Sequence, residues 1–429
     1  MTPAGEAPAA GRFLMVAIDA GGTLPPMMGV AAELVRRGHQ VQVLVDPTGE
    51  EVARAAGCSY TPWRTAPQIR SLTDQTAMIT QFESGWPLRR LRRVRERVLV
   101  GPADLFARDV LDAATGHAAD AILVEGTIPG MVIGAEASVL PFAALMSNIY
   151  ARPTRGLPPF TTGWSAAEGP AGRVRDAAAL SAVEWATKGM TKQLNAVRAL
   201  HGLAPVSEML GGLDHANAVL VLTSPSFDFT TPYLPANVRY VGPQLDDPGW
   251  AGEWQGGDDG SRPLVLVGLS SVHQGQTATL GKIAAAMGRL PVRGLVTTGR
   301  AVAPEDVSAP PNVQVVRAAP HSLVLRRAAA VVTHAGHGTV LRALAAGVPL
   351  VCLPMGRDQK DNTVRLLRLG AGVRVSRSAS PDQIAAAVRL VLQDRQYADA
   401  AKRFAAVLAE EARTRPSAAD EAEALLRST

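Results

Sequence analysis

In the run 331–375, strand and helix patterns alternate over 45 residues, and few folds are compatible with this alternation. A short apolar strand leads into the glycine-containing turn 334–339, and a helix-forming segment ends at Gly347, a typical helix stop. The next strand, 350–353, is continuously apolar, as in a parallel sheet buried on both faces. We expect the turn glycines to allow positive φ and close approach of a ligand. A helix that begins near Thr339 would direct its free N–H groups at the turn, which predicts a site for an anion such as a diphosphate.

Three motifs within this run read His-x-Gly-x-Gly-Thr, Ala-Leu-x-x-Gly-Val-Pro and Pro-x-x-x-Asp-Gln. Together they resemble the donor-binding signature of family 1 glycosyltransferases of the GT-B fold, especially the actinobacterial enzymes that glycosylate antibiotics and other natural products. The resemblance, weaker over most of the remaining chain, implies an α/β protein with two Rossmann-like doubly wound domains facing across a cleft. It implies that the diphosphate of a nucleotide sugar is held by His334, Gly336, Gly338 and Thr339, and that sugar hydroxyls are held by Asp358 and Gln359. For His337, a contact with the sugar and a surface position are equally compatible with the pattern.

The beginning of the chain has a strand, a turn, a helix and a second strand, as at the start of a doubly wound parallel sheet. It resembles the family's Gly-His-x-x-Pro opening, but alignment on Pro26 places Thr23 where the family has its catalytic histidine. The pKa of a threonine hydroxyl is far too high for it to act as a base. The family also has an aspartate at a later strand end, where this chain has Glu125. We therefore expect Glu125 to be the base, with its pKa raised by desolvation, and Asp19 to be the reserve candidate.

Thr23 would then position the acceptor or form a hydrogen bond to Glu125. The alternative is that Glu125 only caps a loop. Related enzymes that form C-glycosides are thought to use a carboxylate in place of the histidine, so both O- and C-linked products remain open.

The second half of the chain begins with an apolar strand at 263–269 and a loop rich in small hydroxyl residues. The resemblance implies donor contacts there from Ser270, Ser271 and Gln276. Where the family has an aromatic residue that stacks on the base, this chain has Ala318, so we expect base binding by backbone groups near Ala319 and His321. Family members that use UDP often have a ribose-binding glutamate where this chain has Arg342. We therefore favour dTDP, whose deoxyribose has no 2′-hydroxyl.

The predicted organisation is an acceptor-binding N-terminal domain at 1–240, a donor-binding C-terminal domain at 241–400, and a helical tail at 401–429 that packs back on the N-terminal domain. The turn-rich stretch 246–262 is the expected linker. The segment 152–172 is long, rich in proline and glycine, and expected to form a lid or acceptor-binding loop. Ser380 and Gln383 predict a capping box at the start of the last core helix.

Composition and charge exclude several classes of protein. The formal charge of +5 is small and spread out, which argues against nucleic acid. The arginine-rich segment 88–99 is interpreted as a solvated helix face over the cleft, with an acidic partner as the alternative.

Residues 1–11 do not resemble a signal peptide, and no long apolar run predicts a membrane span. Cys58 and Cys352 are expected to be reduced in a cytoplasmic protein. The chain is expected to be a monomer or a homodimer.

Other nucleotide-binding classes do not fit. Gly281-Lys282 is followed by isoleucine and is therefore not a Walker motif. Leu341 replaces the third glycine of a dinucleotide fingerprint, which makes a dehydrogenase improbable. Histidine spacing does not suggest a metal site, so we expect no metal or cofactor, with His334 and the helix N-terminus supplying the positive field.

The favoured function is inverting transfer of a sugar, or deoxysugar, from a nucleoside diphosphate to a small hydrophobic acceptor such as a polyketide. The alternatives are a nucleotide-sugar epimerase of the same fold and a helper protein that lost its catalytic base.

Overall fold

The protein folds around two parallel β-sheets. The computed structural model describes residues 10–83, 92–247, 254, 256, 262–270, 275–300 and 302–427. The first sheet has the order β3-β2-β1-β4-β5-β6-β7 and the second the order β10-β9-β8-β11-β12-β13, with every neighbouring pair parallel. This arrangement confirms the predicted α/β class with two doubly wound sheets.

The strands of the first sheet are β1 (Arg12–Val16), β2 (Gln40–Leu44), β3 (Ser59–Thr61), β4 (Ala121–Glu125), β5 (Phe142–Met146), β6 (Ala218–Val221) and β7 (Val238–Tyr240). Those of the second sheet are β8 (Leu264–Gly268), β9 (Arg293–Thr297), β10 (Val313–Val316), β11 (Ala328–Thr333), β12 (Leu350–Cys352) and β13 (Gly372–Arg374). The central strands β4, β5 and β8 are buried at every residue, because helices cover both faces of each sheet.

The helices around the first sheet are α1 (Leu24–Arg36), α2 (Glu50–Ala55), α3 (Leu72–Glu83), α4 (Ala103–His117), α5 (Pro129–Ala137) and α6 (Gly169–Leu200). Those that follow are α7 (Thr277–Met287), α8 (His321–Leu325), α9 (His337–Ala345), α10 (Gln359–Leu369), α11 (Pro381–Gln393), α12 (Arg395–Thr414) and α13 (Ala418–Leu425). Within the described residues no helix is long and apolar enough to cross a membrane.

The predicted helix boundaries were wrong at two places that bear on the site. Helix α6 begins at Gly169, inside the segment 152–172 that was expected to form a loop, because Pro170 suits its first turn and an alanine-rich stretch follows. The loop expected at 152–172 therefore ends at residue 168. The donor helix α9 begins at His337, two residues before Thr339, because Gly336 takes the N-cap position. The capping box at Ser380 is confirmed, since its Oγ accepts from the N–H of Gln383.

The end of the chain returns to the first sheet. Helix α12 packs on α9, and α13 places Ala418, Ala422 and Leu425 in the core behind β1. Arg37 pairs with Asp420 at 2.7 Å, which holds α13 against α1. The domain boundaries themselves stay a prediction, and most of the expected linker 246–262, like residues 1–9, lies outside the described residues.

Candidate active site

The turn 334–339, called the donor turn after its predicted role, follows β11. It lies at the carboxyl edge of the second sheet, where doubly wound sheets bind ligands. Its conformation corrects one expectation: the residue with positive φ is Ala335, at 69°, whereas Gly336 has φ of −61°. What Gly336 provides is space. A Cβ at that position would lie 2.7 Å from both Cε1 and Nε2 of His334. The imidazole of His334 therefore leaves room only for glycine at position 336. The unfavourable positive φ of the turn falls on Ala335.

His334 is buried beside this turn, with only 8% of its surface exposed. Its Nδ1 lies 3.4 Å from Oγ1 of Thr333, and its ring is also hydrogen-bonded to the backbone of Gly268. Burial, assisted by the nearby guanidinium of Arg357, lowers the pKa of His334 to about 4. A lowered pKa disfavours a charged ring, and the single N–H of a neutral ring faces the carbonyl of Gly268. A contribution of His334 to the positive field stays a prediction. The positive potential at the turn comes from the N-terminus of α9.

His337 connects the donor helix to the first sheet. Its Nε2 lies 2.9 Å from Oγ1 of Thr223, which follows β6, and its ring meets Phe227 edge-on at 6.1 Å. It is 7% exposed, and burial lowers its pKa to about 3. The surface position considered from the sequence is therefore wrong, while His337 does line the cleft.

The predicted sugar-binding pair lies in the same cleft as the donor turn. Gln359 Oε1 accepts from the N–H groups of Met355 and Gly356 at 2.6 and 3.0 Å, which closes the loop before α10. Asp358 Oδ2 accepts from Asn362 Nδ2 at 2.8 Å, and the same amide donates to the carbonyl of Ala335 at 3.0 Å.

Asn362 thus connects the loop 355–358, called the sugar loop after its predicted role, to the donor turn. Sequence reasoning missed this role. The spacing of four residues between Asp358 and Asn362 on a helix was the available signal. Burial raises the pKa of Asp358.

The loop after β8 supplies a further wall of the donor site. Ser270 lines the cleft, whereas Gln276 is fully buried outside the lining and donates to the Ser270 carbonyl at 3.1 Å. Gln276 thus supports the loop, its contact with the donor stays a prediction, and Ser271 lies outside the described residues. Ala319 and His321 line the cleft as expected.

The opposite wall carries the candidate base. Glu125 ends β4, is 1% exposed and lines the cleft. Its Oε1 accepts from the N–H and the hydroxyl of Thr127 at 3.1 and 2.8 Å. The hydroxyl of Ser147 lies between Glu125 Oε2, at 3.3 Å, and the carbonyl oxygen of Thr23, at 3.0 Å. Burial raises the pKa of Glu125, which moves the carboxyl toward the range useful for a base.

Of the two roles considered for Thr23, the hydrogen bond to Glu125 is not made, because the Thr23 hydroxyl donates to the carbonyl of Ile18 at 3.3 Å. Ser147 makes the link instead, through the Thr23 backbone. Thr23 lines the cleft, and its role in positioning the acceptor stays a prediction. Asp19 is buried outside the cleft lining and accepts from the N–H of Gly21 at 3.4 Å. The structure therefore favours Glu125 over Asp19 on position alone.

A second carboxylate at this edge was missed. Asp46 follows β2 and lines the cleft, and its oxygens accept from the N–H groups of Ile69 and Asp19 at 2.7 and 2.8 Å. Burial raises its pKa to about 6. Its place after a buried strand was the signal, because such strand ends meet at one edge. Since both oxygens hold backbone groups, Asp46 is better suited to shape the loops than to take a proton.

The donor turn, Asp358, Gln359, Glu125 and Asp46 surround one cavity of about 690 Å³ between the two sheets. Its acceptor side is mainly apolar, with Ile18, Ile69, Val94, Val98, Phe106, Ile128 and Phe160. Of the arginine-rich segment 88–99, residues 88–91 lie outside the described part, and Arg97 lines the cavity. Among the described residues no group of three His, Cys, Asp or Glu side chains could hold a metal ion.

Two parallel sheets with a cleft between them are the architecture of the GT-B fold. Residues 283–427 match the family described as erythromycin biosynthesis protein CIII-like, C-terminal domain. The 4′-demethylrebeccamycin synthase of Lentzea aerocolonigenes is 27% identical over 411 residues, which cover 90% of this chain and 93% of that protein.

Two solved structures share the fold. CalG4, the calicheamicin glycosyltransferase, has a TM-score of 0.75 at 21% identity and covers 98% of this chain and 99% of its own. The glycosyltransferase VinC in complex with dTDP has a TM-score of 0.63 at 18% identity, covering 97% and 98%. The predicted resemblance to glycosyltransferases of antibiotic biosynthesis and the predicted fold are confirmed.

Proposed function

We propose that this protein transfers a sugar or deoxysugar from a nucleoside diphosphate, with inversion, to a small hydrophobic acceptor such as a polyketide. The observation that carries the proposal is the cleft itself. The donor turn and the sugar loop line one side, and Glu125 and an apolar wall line the other. A cavity of about 690 Å³ has the size expected of a site for a drug-sized ligand.

The donor is proposed to be a dTDP-sugar. At the position of the ribose-binding glutamate, Arg342 donates to the carbonyls of Leu245 and Asp246 at 3.1 and 2.6 Å. A guanidinium cannot accept a hydrogen bond from the ribose hydroxyls as a glutamate does, so the 2′-hydroxyl of UDP lacks the acceptor that the family's glutamate supplies. The fold relative VinC was solved with dTDP. Calorimetry should therefore give tighter binding of dTDP than of UDP, and equal or tighter UDP binding would contradict the assignment.

The chemistry is proposed as one displacement at the anomeric carbon. Glu125 takes the proton from a phenol, or from an electron-rich aromatic carbon, as the new glycosidic bond forms. The bond to the diphosphate breaks, and its electron pair leaves with the diphosphate oxygen. The N-terminus of α9 stabilises the developing charge where it appears, and His334 shapes the turn beside it. No metal or cofactor is proposed to take part.

The two alternatives predict different products. An epimerase would convert the nucleotide sugar without an acceptor and would have no use for the apolar wall. A helper protein would bind the nucleotide and form no product.

The deciding experiment incubates the protein with dTDP- and UDP-sugars and a panel of aromatic polyketides, followed by mass spectrometry. The expected product has the mass of acceptor plus sugar minus water. An isomerised donor without acceptor dependence, or nucleotide binding without any product, would overturn the proposal.

A further inference from the structure

The loop between β5 and α6 is fastened to the helix that carries the sugar loop. Asp361, in the first turn of α10, accepts from the N–H of Thr161 through Oδ2 and from the N–H of Gly163 through Oδ1, both at 2.7 Å. Asp361 is 3% exposed. Both oxygens of one buried carboxylate are therefore used by the backbone of a loop that belongs to the other sheet.

The backbone of this loop is shaped for the contact. Thr161 has φ of 72°, a conformation that is rare for a β-branched residue. Gly163 has φ of 68°, and a Cβ there would lie 2.6 Å from Cβ of Lys360. The loop thus approaches α10 more closely than any side chain at position 163 would allow. Unfavourable conformations of this kind persist only where the surrounding contacts impose them.

The same contact joins the two halves of the cleft. Phe160 and Thr161 line the cavity on the acceptor side, next to the fastened backbone. Asp358 and Gln359 line it on the donor side, immediately before Asp361 on the same helical turn. Without the hydrogen bonds to Asp361, residues 160–163 could therefore move relative to the sugar loop.

We propose that Asp361 is a positioning residue that sets the acceptor wall: by holding residues 160–163 against α10, it places Phe160 across the cleft from the donor sugar and fits the cleft to a flat apolar acceptor. The identity of the two ligands rests on the proposed function. The fastening of the loop rests on the two hydrogen bonds alone. Small displacements of a positioned reactant strongly reduce rates, which is why a contact outside the reacting atoms matters.

Hydrogen–deuterium exchange tests the fastening without any substrate. In Asp361→Asn one acceptor oxygen is replaced by an amide donor, so the Thr161 and Gly163 amides should exchange about tenfold faster or more. Gly163→Ala should have the same effect with the carboxylate intact. The matched controls are Asp382→Asn, an exposed carboxylate in the first turn of α11, and Gly169→Ala, at φ of 70° with no atom within 4 Å of the added Cβ. Both controls should leave the two amides unchanged.

Binding measurements then separate positioning from general loosening. With the acceptor found in the polyketide panel, Asp361→Asn and Gly163→Ala should raise the acceptor KM about tenfold and change the dTDP Kd by less than about twofold. Unchanged amide exchange in Asp361→Asn, or a dTDP Kd that rises as much as the acceptor KM, would overturn the inference. If the wild type binds no nucleotide, the proposed function fails, but the exchange comparison still decides whether Asp361 holds the loop.

Discussion

Replacing Glu125 by glutamine should separate its basicity from its place in the fold. The glutamine oxygen can accept from the N–H and hydroxyl of Thr127, as Oε1 does now. Its amide can donate to the Ser147 oxygen, while the Ser147 hydroxyl continues to donate to the Thr23 carbonyl at 3.0 Å. No buried polar group loses its partner, so we expect no loss of stability beyond about 1 kcal/mol. The variant is also expected to bind dTDP normally.

The rate should respond very differently. General base catalysis contributes about 10²–10⁴-fold, which corresponds to about 3–5 kcal/mol of barrier at 1.36 kcal/mol per tenfold. Because burial raises the pKa of Glu125 above its ordinary value, the carboxylate forms only as pH rises through that raised pKa. The wild-type rate should therefore rise with pH through that range and then level off, and Glu125→Gln should lack this limb.

The stability of the fold is expected to change with pH in the opposite direction to the rate. A carboxyl with a raised folded pKa stabilises the fold at low pH, and that contribution is lost as pH rises through the raised pKa. Glu125→Gln removes the charge that is costly to bury, so at pH 8 it should unfold at the same temperature as the wild type or higher.

The assay is initial turnover of the identified acceptor between pH 5 and 9, with dTDP affinity and thermal unfolding measured on the same samples. Asp19→Asn is the companion variant, because Asp19 lies outside the cleft lining. Turnover of Glu125→Gln within about fivefold of wild type would refute the reasoning, since a base should be worth at least about 10²-fold. Loss of turnover in Asp19→Asn under those conditions would identify the other carboxylate.

Three further predictions concern the donor turn, the interface between the sheets and metal ions. Gly336→Ala puts a Cβ 2.7 Å from the His334 ring and should weaken dTDP binding about tenfold in calorimetry, if one hydrogen bond to a charged group is lost; an unchanged Kd would contradict this role of the glycine. In Arg365→Met the buried carboxylate of Asp228 loses donors at 2.9 and 2.7 Å, so the free energy of unfolding in urea should fall by about 3–5 kcal/mol. The control Arg413→Met breaks an exposed pair and should change the free energy of unfolding by less than about 1 kcal/mol. Metal removal by EDTA should leave turnover unchanged, and activity restored only by added Mg²⁺ would show that the donor site uses a metal.

The fold and the place of the donor turn could be predicted from the sequence alone. Continuously apolar strands that alternate with helices can be buried only in a parallel sheet covered on both faces. A short strand, a turn and a helix bring free N–H groups to one edge within a few residues, so the anion site near Gly336 follows from local geometry. The capping box at Ser380 was predictable for the same reason, because all of its groups lie within three residues.

The side chains that support these sites could be identified only from the tertiary structure. Ser147 reaches Glu125 and Thr23 from another strand end, and Asp361 meets its loop partner Thr161 across 200 residues of sequence. The lowered pKa of His334 and the raised pKa of Glu125 depend on burial, which exists only after the sheets have assembled. Local periodicity records which face of an element is buried. It does not record which residues from distant elements meet there, since that depends on how the two sheets pack together.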